Sequence, residues 1–174
     1  MQRHADNLKI ARWMRNTFPS PYKLSHSAEW IAITAAESPT RKFAIATLPT
    51  AADPHGAFIG SIGLMPKADI EQHCMEVGYW VAEPHWGGGI MTEVVRAFTR
   101  WAFETNPELL RIDGSCFEGN EGSAKVLTKG GFTYEGMRRN AVYKNGEVMG
   151  LKLFGLLREE CEGLSTVQAV AAKE

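Results

Sequence analysis

The sequence predicts an α+β domain built on a mixed, mainly antiparallel sheet flanked by helices. Three observations carry that prediction. Strand-like runs follow one another at loop-length separations between residues 43 and 81. A glycine run, Gly87-Gly88-Gly89, then opens a strongly amphipathic helix that leads into another strand. Near the end, Asn145-Gly146 joins two further runs as a hairpin.

Taken in order, Leu8, Ile10, Ala11 and Met14 recur at roughly helical spacing and predict a short helix over 5–15. Phe18-Pro19-Ser20-Pro21-Tyr22 imposes an extended connection, because its two prolines exclude helix. Ser25 can cap the next helix, which carries Ala28, Ile31, Ala32 and Ala35 on one face and stops at Pro39. Residues 43–48, 57–64 and 74–81 form an antiparallel meander, punctuated by Pro49, Asp53-Pro54-His55-Gly56 and Pro66. In the helix after the glycine run, Met91, Val94, Val95, Phe98, Trp101 and Ala102 make one apolar stripe. A strand over 109–117 and a helix over 120–129 follow, the helix stopped by Gly130-Gly131. The hairpin pairs 132–143 with 148–157. The middle strand, helix, strand unit predicts a right-handed crossover. Residues 1–160 read as one domain and 161–174 as a small, polar tail.

Composition narrows the function. Lys plus Arg total 19 and Asp plus Glu total 20, for a net charge of -1, which argues against an extended nucleic-acid surface. Cys74, Cys116 and Cys161 form no CxxC pair and have no histidine at zinc-ligand spacing, so the expectation is a reduced, cytoplasmic protein without a metal site. No apolar run follows Met1, and none approaches the ~20 residues that span a bilayer, so neither a signal peptide nor a membrane partner is expected.

The chemistry begins at Val81-Ala82-Glu83-Pro84-His85-Trp86-Gly87-Gly88-Gly89-Ile90-Met91-Thr92-Glu93. Glycines let backbone N–H groups converge on one concavity, and a helix start leaves further donors unpaired. Such a place favours an anion. A tight strand-to-helix turn that binds nothing would have the same sequence. A Walker loop is excluded because Gly-Lys-Ser/Thr is absent, and a GxGxxG fingerprint because Thr92 stands where its last glycine belongs.

Gly78-Tyr79-Trp80 and Trp86-Gly87-Gly88-Gly89-Ile90-Met91-Thr92-Glu93 are followed by Asn120-x-x-Ser123, Gly131-Phe132 and Glu135-Gly136. In that order they resemble the GNAT superfamily of acyl-CoA N-acyltransferases, in its ribosomal-protein-alanine acetyltransferase (Rim-like) branch. Phe18-Pro19-x-Pro21-Tyr22 resembles a substrate-side segment of the same branch. The resemblance implies acetyl-CoA as cosubstrate, with cofactor contacts at Val81, Trp86, Gly87, Gly88, Gly89, Ile90, Met91, Thr92 and Asn120. Trp86 stands where the superfamily often has Gln or Arg, and Met91 fills the last Gly/Ala position. Members usually open with a strand before the first helix. Met1 falls after that point, so either the protein dispenses with its first strand or the chain is a shortened version; a missing edge strand would allow a homodimer through the open edge.

Acetyl transfer to an amine needs a free amine, a polarised thioester and a protonated leaving thiolate. Freeing the amine at pH 7 costs about 1 kcal/mol for an α-amino group and roughly 4–5 kcal/mol for a lysine-like one. The resemblance places a general base at Glu76, and strand alternation puts that residue on the face of Trp80. Many members use a tyrosine five residues before the phenylalanine of Gly-Phe as acid, but here that position is Leu127. The branch instead implies Ser123, although a first-turn serine also stabilises a helix start. Asn120 is equally explained as a cap. The expected reaction is direct transfer from acetyl-CoA to a primary amine, either a protein N-terminus or a small molecule. The alternative is a non-catalytic CoA-binding or regulatory module. His55, His73, His85, Arg138 and Arg139 are expected to be solvated, and Trp101 and Phe103 to be core.

Overall fold

The computed structural model describes residues 1–51 and 53–164, so residues 165–174 of the expected tail lie outside it. Helices α1 (Gln2–Ala5), α2 (Leu8–Ala11) and α3 (Leu24–Ala35) precede strands β1 (Lys42–Ala46), β2 (Phe58–Pro66) and β3 (Cys74–Val81). Then come α4 (Ile90–Thr105), β4 (Arg111–Phe117), α5 (Glu121–Lys129), β5 (Thr133–Lys144) and β6 (Glu147–Leu157). The strands form one six-stranded sheet in the order β1-β2-β3-β4-β6-β5. Only β3 and β4 run parallel; every other neighbouring pair is antiparallel. The mixed, mainly antiparallel sheet and its meander are therefore as expected.

Two N-terminal expectations are corrected. The helix over 5–15 is two single turns broken at Asp6-Asn7. Asn7 takes an extended backbone and its side chain accepts the Lys9 N–H, while Asp6 Oδ1 accepts the Tyr22 N–H at 2.9 Å. Those local bonds offer the chain an alternative to continuous helix. Ser25 lies inside α3 rather than capping it, because Lys23 is the N-cap and its N–H donates to His26 Nδ1 at 3.0 Å.

Packing follows the stripe. Val95, Phe98, Ala102 and Phe103 of α4 and Leu127 of α5 join Ile62, Leu64, Val77, Ile112, Phe154 and Leu156 of the sheet in one core. Each large side chain buried this way contributes roughly 1.5–3 kcal/mol. Trp101 packs against that core, stacked on Phe98 with ring centroids 5.3 Å apart. Cys161 and Leu164 also pack against it. The hairpin turn forms at Asn145 (φ 52°) and Gly146 (φ 85°), both left-handed.

The feature that makes room for a site is the short β3–β4 ladder. It pairs Cys74 with Arg111, Met75 with Ile112, Glu76 with Asp113 and Val77 with Gly114, and then stops. Both strands continue, β3 to Val81 and β4 to Phe117, so their ends part. On its other side β3 stays tightly held by β2, where a Cβ added at Gly60 would sit 2.3 Å from the Trp80 carbonyl oxygen. That atom is backbone and cannot swing away. Gly60→Ala should therefore destabilise the fold by about 1–3 kcal/mol, whereas Gly122→Ala, whose Cβ would have ordinary contacts in α5, should be neutral or stabilising by up to ~1 kcal/mol; thermal unfolding of the two variants checks the contrast.

Candidate active site

The parted strands open into a cleft of about 1040 Å³. Its lining includes Trp80, Val81, Gly87, Gly89, Ile90, Met91 and Thr92 on one side of the chemistry. Trp86, Glu76, Tyr79, Ser115, Cys116, Asn120 and Ser123 line it too, so the predicted residues other than Gly88 come together in one space.

The glycine turn presents a row of backbone donors at the start of α4. Gly87 (φ 78°) and Gly89 (φ 80°) are left-handed, which favours glycine there and turns successive N–H groups toward one concavity. Gly89 is the N-cap of α4 and gives no side-chain cap. Among the described residues, the N–H groups of Gly87, Gly88, Gly89, Ile90, Met91 and Thr92 donate to no protein acceptor. A Cβ at any of the three glycines would meet nothing within 4 Å, so the turn is not packed against other side chains. Met91 does not crowd the loop: its side chain turns inward and is buried in the core. Unpaired amides at a helix start, with the positive end of its dipole, suit the pyrophosphate of a coenzyme.

Trp86 ties this turn to the end of β3 and lines the cleft. Its indole Nε1–H donates to the Val81 carbonyl at 2.7 Å, although the ring is 45% exposed. Ala82 donates its N–H to Ile59 on the β2 side, so strand alternation turns the Val81 N–H into the parting.

The two faces of β3 carry different chemistry. On one, Glu76 accepts from Arg15 Nη2 at 2.7 and 2.8 Å and from Ser115 Oγ at 2.9 Å. Trp80 shares this face, edge-on to Phe18 at 6.2 Å between ring centroids, and Phe18 in turn meets Tyr22 at 5.1 Å. The Phe18–Tyr22 segment thus forms an aromatic wall beside the carboxylate. On the other face, Tyr79 packs toward α5, and its phenol oxygen lies 3.0 Å from Ser123 Oγ. Burial pushes the Tyr79 phenol well above its ordinary pKa. Cys116, buried in the same cluster, is also pushed up by burial.

Asn120 caps α5, its Oδ1 accepting the Ser123 N–H at 3.1 Å. Leu127 is 1% exposed and lies over Gly114, where an added Cβ would be 2.6 Å from its Cδ2. It is core and supplies no acid.

Arg15 and Tyr79 are the functional neighbours that sequence reasoning missed. Arg15 lies far from Glu76 in sequence and nothing local links them. Tyr79 was legible as half of Gly-Tyr-Trp, but its alternation with Val77 marks it as core-facing. His85 lines the cleft, whereas His55, Arg138 and Arg139 are exposed away from it. Among the described residues, no three His, Cys, Asp or Glu side chains cluster as a metal site, and no helix is long and apolar enough to cross a membrane.

Sheet, parted strands and glycine turn together define an acyl-CoA N-acyltransferase fold. The chain belongs to the acetyltransferase (GNAT) domain family, whose model matches residues 2–133. Acetyl-CoA is the cosubstrate of that family. Over 108 residues the chain is 36% identical to a putative ribosomal N-acetyltransferase, YdaF, of Bacillus subtilis, covering 62% of this chain and 58% of that protein. The chain spans about half the length of the curated relatives it matches. RimJ of Mycobacterium smegmatis, solved in complex with CoA-disulfide, shares the fold with a TM-score of 0.75 at 23% identity, over 92% of this chain and 76% of that one. Spermidine N-acetyltransferase of Vibrio cholerae, solved with CoA and spermine, shares it with a TM-score of 0.71 at 19% identity, over 91% and 88%.

Removing the α5 cap should be felt in stability before chemistry. Asn120→Ala is expected to cost about 1 kcal/mol, read as a lower midpoint in urea unfolding without a change in slope.

Proposed function

We propose that this protein transfers the acetyl group of acetyl-CoA directly to a primary amine, on a protein N-terminus or a small molecule. The observation that carries this reading is the run of unpaired N–H groups from Gly87 to Thr92, opening into the same cleft as Glu76 and Ser123. When bound, acetyl-CoA supplies an activated thioester. The chain's residues supply the rest. The amides of Gly87, Gly88, Gly89, Ile90, Met91 and Thr92 hold the coenzyme's phosphates, and the Val81 N–H pairs with its pantetheine arm. Asn120 and Trp86 complete the coenzyme wall.

Glu76 accepts the amine proton at a carboxylate oxygen as the nucleophile attacks. Arg15 and Ser115 hold that carboxylate in one orientation. Ser123 passes its hydroxyl proton to the leaving sulfur and regains one from water in the open cleft, and Glu76 gives the amine proton back to that water, which restores both side chains and the water. The amine proton and the thiol proton thus balance. Direct transfer is favoured over an acyl-enzyme because Cys116 is buried and its thiol is disfavoured as a thiolate.

We place the protein in the cytoplasm as one domain over residues 1–160, with its three cysteines free. Its partners are acetyl-CoA and the amine, with no nucleic acid, in keeping with the net charge of -1. The outer edge of β1 supports a homodimer formed by pairing between copies. A second reading, a CoA-binding module without turnover, is favoured by the buried Leu127 at the family's usual acid position.

Two variants test the proposal. Gly89→Asp puts a negative charge among the amides and strains a left-handed site, so acetyl-CoA affinity by calorimetry should fall at least about a hundredfold, or ~2.7 kcal/mol. Binding that survives this change would exclude the glycine turn as the phosphate site. Glu76→Gln should lower kcat/KM by about 10²–10⁴ near neutral pH, with the deficit shrinking as pH rises toward the amine's own pKa, about 8 for an α-amine. Coenzyme binding with no turnover of any amine in a broad panel would favour the non-catalytic module.

A further inference from the structure

We propose that Tyr79 is a positioning residue that acts through Ser123: its phenol O–H donates to Ser123 Oγ and turns the serine's own proton into the cleft. This rests on the acetyl-transfer function proposed above, and adds a residue to it. Tyr79 enters from β3 and Ser123 from the first turn of α5. Their hydrogen bond therefore bridges strand and helix beside the point where β3 and β4 part.

The geometry leaves few choices. Tyr79 is half-buried, its ring packed against the core, and its phenol finds its protein acceptors on α5. The acceptors it meets are Ser123 Oγ at 3.0 Å and the Ser123 carbonyl at 3.4 Å. The carbonyl lies inside α5, where the N–H of residue 127 is its regular helical partner. Ser123 Oγ is the shorter contact and has two lone pairs to offer. The Ser123 N–H is already committed to Asn120 Oδ1. With its amide held and its carbonyl in the helix, the hydroxyl is the one group of Ser123 free to rotate. A fixed donor on the hydroxyl oxygen removes that freedom and directs its hydrogen elsewhere. Ser123 and Tyr79 line the cleft together with the Cys116 thiol beside Ser123, and the proposal directs the hydroxyl hydrogen into that space, toward the coenzyme.

Tyr79 is suited to this role and not to that of the acid itself. Burial holds its phenol protonated across the working range, so it remains a donor and does not surrender the proton. No proton leaves Tyr79 in the reaction. Its contribution is to keep Ser123 Oγ–H aimed at the sulfur as negative charge develops there. Phenylalanine in its place would keep the ring that packs against the core and lose only the oxygen.

The test is a double-mutant cycle in steady-state kinetics, using Tyr79→Phe, Ser123→Ala and both together, with thermal unfolding of each as a control. Tyr79→Phe should lower kcat about tenfold with the KM for acetyl-CoA unchanged. Added to Ser123→Ala it should change kcat by less than about twofold, because the group it acts through is gone. Equal losses in both backgrounds, a wild-type kcat in Tyr79→Phe, or a wild-type kcat in Ser123→Ala would each overturn the proposal while leaving acetyl transfer standing. Absence of turnover by the intact protein would overturn acetyl transfer, and the role of Tyr79 with it.

Discussion

Everything at the candidate site depends on β3 and β4 separating after Val77 and Gly114. Parallel strands that stayed paired would spend their backbone groups on each other and leave no gap. The separation is enforced from several sides. β2 holds β3 along its length, and the close approach at Gly60 fixes the far end of the strand, at Trp80 and Val81, beyond the point where it leaves the ladder. β6 holds β4 along its whole length in the same way, from Arg111 to Phe117. Over the face of the sheet, Leu127 occupies the space that a side chain at Gly114 would need. Each strand is thus anchored on its outer side, and the inner edges are left to a ligand.

This arrangement also sets the two tasks of the proposed reaction on opposite faces of one strand. Alternation sends Glu76 toward Arg15 and the Phe18–Tyr22 wall, and Tyr79 toward α5 and Ser123. A gap through the sheet lets both faces reach a common centre. In the proposed reaction, proton acceptance from the amine and proton delivery to the sulfur would be separated by the backbone itself. The glycine turn at the end of β3 sits where it can hold a charged coenzyme while the reactive end occupies the gap.

Much of this was legible in the sequence, because local rules carry it. The boundaries of β3, the stripe on α4, the Asn145-Gly146 turn and the Asn120 cap follow from alternation, helical spacing, left-handed turn chemistry and side-chain capping. The glycine turn was legible for the same reason, since positive φ at Gly87 and Gly89 is a local demand. What sequence could not give is what depends on contacts between distant segments. The break at Asp6-Asn7 is tied to Tyr22, the Ser25 cap was displaced by Lys23 and His26, and Arg15 reaches Glu76 across the whole meander. α3 shows the same limit: its spacing suggests a buried face, yet Ile31 is 55% exposed and Ser27 is the residue it buries.

The central claim is that the unpaired amides of the glycine turn and the parted edge of β3 receive the coenzyme. Amide-resolved NMR of the ¹⁵N-labelled protein during titration with acetyl-CoA tests it most directly. The account predicts that the largest shifts fall on the N–H groups of Gly87, Gly88, Gly89, Ile90, Met91, Thr92 and Val81, with those amides gaining protection from solvent exchange. Binding whose shifts cluster elsewhere, with these amides unmoved, would contradict it.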